Sequence, residues 1–141
     1  MNSFVLLNID KVMKLKLTVF AFLFLIFKVS AQVIVSDPTL PTENDSIVII
    51  FDASQAQNTS LVGYTGTLYT HTGVNTNLGD WQHVIGNWGN NGVQPQLTRI
   101  GTDLYRLVIG FPREFYSITN PGEHITSLNF VFRSADASQQ T

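Results

Sequence analysis

Ser46-Ile47-Val48-Ile49-Ile50-Phe51-Asp52 is a run of five consecutive apolar residues, four of them β-branched, closed at each end by polar turn formers. Branching at Cβ disfavours helix and suits a pleated surface, and a run this short and this apolar reads as a strand buried on both faces. It is the strongest core strand in the sequence, and the segments on either side are consistent with it.

Toward the C-terminus, Gln96-Leu97-Thr98-Arg99-Ile100, the turn Gly101-Thr102-Asp103 and Leu104-Tyr105-Arg106-Leu107-Val108-Ile109 form a predicted hairpin. Leu97 with Ile100 on one side of the turn, and Leu104, Arg106 and Val108 alternating with Tyr105, Leu107 and Ile109 on the other, fit two paired strands. Pro112 to Tyr116 fits a single helical turn with proline at its first position, ended by Pro121-Gly122. Ser127 to Arg133 alternates again, Leu128, Phe130 and Phe132 opposite Asn129, Val131 and Arg133. Between the core strand and the hairpin, seven glycines from Gly63 to Gly92 break the chain into pieces too short for helices. Six or seven short strands with turn signals every ~8–12 residues predict an all-β fold, an immunoglobulin-like antiparallel β-sandwich. The polar tail Ser134–Thr141 stops where such a sandwich needs a last strand to cover its edge, so that strand is expected to be missing by truncation.

The N-terminal side reads as targeting. Lys14-Leu15-Lys16, the apolar run Leu17 to Phe27, and Val29 and Ala31 as small residues at −3 and −1 make a secretory signal peptide over residues 1–31, with Met13 as its natural start and cleavage between Ala31 and Gln32. The apolar run is too short to cross a bilayer. Residues 32–45, with Pro38 and Pro41, are an extended edge strand and lead-in linker, and 46–141 form the module itself. The expected protein is secreted or at the cell surface, with no membrane contact once the signal is removed.

Past residue 31 the chain carries four arginines against nine acidic residues, a formal charge of −5, the wrong sign for a nucleic-acid partner. Cysteine is absent, which removes disulfides and thiol chemistry. No nucleophile elbow, phosphate loop or dinucleotide fingerprint occurs. His71, His83 and His124 lack the spacing of a zinc motif. Glu43, Asp45 and Asp52 flank the core strand and read as solvated turn residues or, at most, a weak structural calcium site. No cofactor is expected.

The stretch that carries function is Thr67 to Asn91, TLYTHTGVNTNLGDWQHVIGNWGNN. It holds both tryptophans, Tyr69 and two of the three histidines among asparagines and glycines. Aromatic faces stack on the C–H face of a neutral sugar while amides and hydroxyls meet its hydroxyl groups. In a strand, Tyr69 and His71 share a face, as do Trp81 and His83. Tyr69, His71, Trp81 and Trp88 are therefore the candidate carbohydrate-binding residues, with burial of the tryptophans in the core as the competing reading.

Asp37-Pro38 to Pro41-Thr42, Ser46 to Phe51, Tyr64-Thr65-Gly66, Leu68 to Gly73, Asp80-Trp81 to Trp88-Gly89, Leu97 to Gly101 and Phe130 to Asp136 together resemble the N-terminal module of secreted bacterial alpha-amylase-family proteins, related to starch-binding modules of families twenty-five and twenty-six. That resemblance implies stacking of glucose rings on Tyr69, His71 and Trp81, with Trp88 matching the second tryptophan. It also implies a partner in starch or another α-glucan and a C-terminal catalytic domain beyond this chain, so that the chain is not an enzyme by itself. The alternative is a structural immunoglobulin-like spacer domain with no ligand.

Overall fold

The computed structural model describes residues 32–141, which form one compact unit. The expected signal peptide and its cleavage after Ala31 lie outside the described residues. No described helix is long and apolar enough to cross a membrane.

Seven strands form two antiparallel sheets. β1 (Ile34–Asp37), β2 (Ile47–Asp52), β6 (Leu104–Gly110) and β5 (Thr98–Gly101) lie in the order β1-β2-β6-β5. The second sheet contains β3 (Leu68–Thr76), β4 (Gly79–Gln82) and β7 (Ile125–Ser134) in the order β4-β3-β7. This is an all-β sandwich, and its strand order matches the A-B-E-D and C′-C-F arrangement of immunoglobulin-type sandwiches. The expected helical turn is present as α1 (Pro112–Phe115), with proline in its first turn.

The alternation in the sequence sets the core. Ile47, Ile49 and Phe51 of β2 and Tyr105, Leu107 and Ile109 of β6 point between the sheets, where they meet Leu68 of β3 and Phe132 of β7. Phe51 and Phe132 stack across the gap with ring centroids 4.1 Å apart and planes 23° apart. β2 differs from its expected burial on both faces: Val48 and Ile50 are only half-buried, because no layer covers the outer face of the first sheet there. Leu97 is buried beside Leu68, whose carbonyl accepts from its N–H, whereas Ile100, three residues on and so on the opposite face, lies in solvent at 51% exposure beside the bulge between Arg99 and Gly101.

A second, smaller apolar cluster of Val74, Tyr116 and Ile118 closes one end of the sandwich. Thr72 Oγ1 donates to the Asn129 carbonyl at 2.7 Å and stands 2.6 Å from the Tyr116 hydroxyl, so the phenol donates to Thr72. Burial pushes the Tyr116 phenol up to about 12.

The tail is tied down where the last strand was expected. Gln140 bridges to Arg133, the Ser134 N–H donates to the Gln139 carbonyl, and the Thr141 N–H donates to the Phe132 carbonyl. Ser60 Oγ donates to the Gln140 carbonyl and accepts from its N–H, pinning the tail to the 3-10 turn Thr59–Leu61. From Ile125 to Val131 the outer edge of β7 has no strand partner among the described residues.

Phe132→Ala removes one half of the inter-sheet stack and is expected to destabilise the sandwich by ~3–5 kcal/mol. Urea unfolding followed by circular dichroism should show a lower midpoint with an unchanged slope.

Candidate functional site

Successive residues of β3 face opposite ways. Leu68, Thr70, Thr72 and Val74 go inward, whereas Tyr69, His71, Gly73 and Asn75 lie on the outer face of the second sheet. The register pairs Tyr69 with Arg133, His71 with Val131 and Gly73 with Asn129, which puts these β7 residues on the same outer face.

Trp81 reaches that face from β4 and lies nearly parallel to His71, with ring centroids 5.9 Å and planes 21° apart. Gly73 makes the approach possible. A Cβ there would meet the Gln82 carbonyl oxygen and Val84 Cγ2 at 3.0 Å and Trp81 Cε3 at 3.4 Å. Trp81 has a left-handed backbone, φ 50°, which its N–H supports by donating to Asn75 Oδ1 at 2.9 Å. Asn75 Oδ1 also accepts from Asn129 Nδ2 at 2.6 Å, which fixes its orientation.

Trp88 stands in the connection between β4 and β5, edge-on to His71 at 5.4 Å and 73°. Trp81 is 43% and Trp88 47% exposed, so neither indole belongs to the core. Tyr69 and His71 are half-buried. His71 is thus in contact with both exposed indoles, while Tyr69 joins the patch through the Arg133 guanidinium, which lies 5.3 Å from its ring centre.

His83 does not join them. It too is left-handed, φ 52°, so the alternation expected from Trp81 to His83 fails at the end of β4, and its Nε2 lies 3.0 Å from Glu123 Oε1. The three carboxylates flanking β2 are turned to structural bonds. Asp45 accepts from the Thr42 N–H and hydroxyl, Asp52 accepts from the Ser54 N–H, and Glu43 accepts from the Ile125 N–H and Arg113 and contacts His124. Among the described residues no three His, Cys, Asp or Glu side chains converge as a metal cage.

Two residues of the site were not legible beforehand. Arg133 alternates with Val131 and Asn129 as an outward residue of a strand, yet it is wholly buried because residues 86–96 fold over it. Its Nε donates to Gln94 Oε1, its Nη2 to the same oxygen and to Asn91 Oδ1, and its Nη1 to the Ser134 carbonyl. Gln94, 3% exposed, in turn brings its Nε2 to 2.7 Å from His71 Nδ1. The only sequence signal was one arginine at the end of an apolar strand in a chain poor in cations.

Burial first, and then the charge of Arg133, pull the His71 pKa below its ordinary value of 6.5. The aromatic patch therefore surrounds a neutral imidazole at physiological pH. No family model matches this chain, and no curated protein matches it.

Two outcomes are expected. Gly73→Ala, in a Trp88→Phe background, crowds the β4 backbone and displaces Trp81, shifting its fluorescence to the red at a cost of ~1–3 kcal/mol. For His71, the unfolded chain takes up the proton before the folded one does. Its contribution to stability is therefore complete above pH 6.5 and is lost as pH falls from there through the folded pKa. The stability difference between wild type and His71→Gln, from urea melts over that window, should shrink on acidification.

Proposed function

We propose that the outer face of the second sheet binds a neutral polysaccharide chain, an α-glucan such as starch, through Trp81, His71 and Trp88, with Tyr69 at the margin of the patch. In this reading the protein is a non-catalytic module of a secreted alpha-amylase-type glycoside hydrolase, and it holds an attached enzyme near an insoluble substrate. Tethering raises the effective concentration of that enzyme even when the module's own affinity is modest.

One observation carries the reading. Two indoles stay close to half exposed against His71, on a sheet face that also carries the amides Asn75 and Asn129. Keeping that much apolar area in water costs stability, and a sugar whose C–H faces cover the rings recovers it. The exposure of Trp81 and Trp88 supports this reading over that of a ligand-free spacer with both indoles buried.

Affinity electrophoresis through amylose, with maltoheptaose titration as the quantitative arm, tests the proposal. Trp81→Ala should weaken binding by ~2 kcal/mol, roughly thirtyfold. Because neither partner brings charge to the contact, raising the salt concentration should leave the affinity unchanged. Equal mobility of wild type and Trp81→Ala, with and without glucan, would refute it.

A further inference from the structure

The contacts beneath the aromatic patch fix where a proton sits. A guanidinium has only N–H donors, so the Gln94 atom that meets Arg133 Nε and Nη2 has to be the amide oxygen. The Gln94 NH2 group is then turned to His71, 2.7 Å from Nδ1. An NH2 group is only a donor here, so Nδ1 must offer its lone pair, and the imidazole proton resides on Nε2. An imidazolium, with N–H at both positions, would set two donors against each other.

Nε2 has no partner among the described residues, yet none of the unpartnered side-chain nitrogens or oxygens of those residues is buried. It therefore opens to water on the patch, beside Trp81 and Trp88. Arg133 itself is immobilised. It is wholly buried under the rings of Tyr69 and Trp88, 5.3 Å and 5.9 Å from their centres, and Asn91 and the Ser134 carbonyl hold its remaining donors.

We infer that Arg133 and Gln94 are positioning residues which hold His71 as the neutral Nε2–H tautomer, so that the patch presents one oriented hydrogen-bond donor beside two indoles to an acceptor oxygen of its ligand. The ligand half of this inference, a hydroxyl or ether oxygen of a sugar, rests on the polysaccharide reading, whereas the tautomer does not. The relay also adds discrimination. A ligand that offers only a donor or a cation at this point meets an N–H, and binds less well than one that offers a lone pair. The lowered proton affinity of His71 agrees with this arrangement.

Long-range 1H–15N correlation spectra of the free protein read the tautomer directly and need no variant. The expected result is a single species with the proton on Nε2. A proton on Nδ1, or an even mixture, overturns the relay. Gln94→Glu replaces the donor that faces Nδ1 with a carboxylate while keeping an acceptor for Arg133. His71 should then carry its proton on Nδ1 at mildly alkaline pH and become doubly protonated on acidification. Maltoheptaose binding should fall about tenfold at alkaline pH, the worth of one hydrogen bond, and recover as pH is lowered. Wild type keeps its Nε2–H over the same range and should show no such recovery, and a Gln94 that only fills space would leave the variant without it. If the proton is on Nε2 but maltoheptaose leaves the indole signals unmoved, the sugar half is overturned and the relay stands. If maltoheptaose binds and the proton is on Nδ1, the relay is overturned and the sugar reading stands.

Discussion

Arg133 is removed from water, and among the described residues no carboxylate pairs with it. Burying a guanidinium costs several kcal/mol unless its donors find acceptors, so the surrounding chain has to bring oxygens to it. Those oxygens come from Gln94, Asn91 and the backbone at the end of β7. The segment that crosses from the second sheet to the first therefore has little choice of path. Asn91 is held from the other side as well, its Nδ2 donating to the Ala135 carbonyl at 2.8 Å. The tautomer of His71 and the position of Trp88 follow from the same requirement, and the ring faces of Tyr69 and Trp88 contribute an attraction of up to ~2 kcal/mol to a desolvated cation.

Phe132 and Arg133 are neighbours in sequence that do opposite work. The phenyl ring faces inward and stacks on Phe51, joining the two sheets, while the guanidinium faces outward and organises the aromatic patch. A strand has a side-chain period of two, so a slip of one residue between β3 and β7 would put the arginine among the core phenylalanines and the phenylalanine beneath the tryptophans. The register of β7 is thus held by both layers at once. The site is rigid for that reason, since any change in the pairing that carries it also breaks the core. Gly73 adds a local condition, because Trp81 can lie against β3 only where no Cβ intervenes.

What the sequence made legible was whatever alternation controls. Tyr105, Leu107 and Ile109 are buried as their spacing requires, Phe132 lies on the inner face of its strand, and Tyr69 and His71 share the outer face of theirs. Alternation fails where the backbone leaves the extended region. Trp81 and His83 both have positive φ, so their faces could not be deduced by counting, and His83 turns to Glu123 instead of joining Trp81. Arg133 and Gln94 were hidden for a different reason. Their burial depends on a loop far away in sequence, and a strand pattern reports which face a residue is on but not what covers that face. Sequence likewise could not separate a core strand covered on both sides from β2, whose outer side chains are only half covered.

The shape of the site restricts what it can hold. A cleft of about 220 Å³ lies elsewhere, lined by Pro41, Glu43, Pro112, Ile125 and Leu128 among others, and none of the four candidate aromatics borders it. Small ligands are usually held in enclosed pockets that bury most of their surface. In the proposed reading, a small ligand laid on a sheet face against two exposed indoles leaves much of its area in water. An extended chain is a better match, because each ring along it can cover another aromatic face while the first remains covered. His71 touches both indoles, so in the proposed reading its outward N–H meets the same ligand as they do and selects among oxygens by direction as well as by contact.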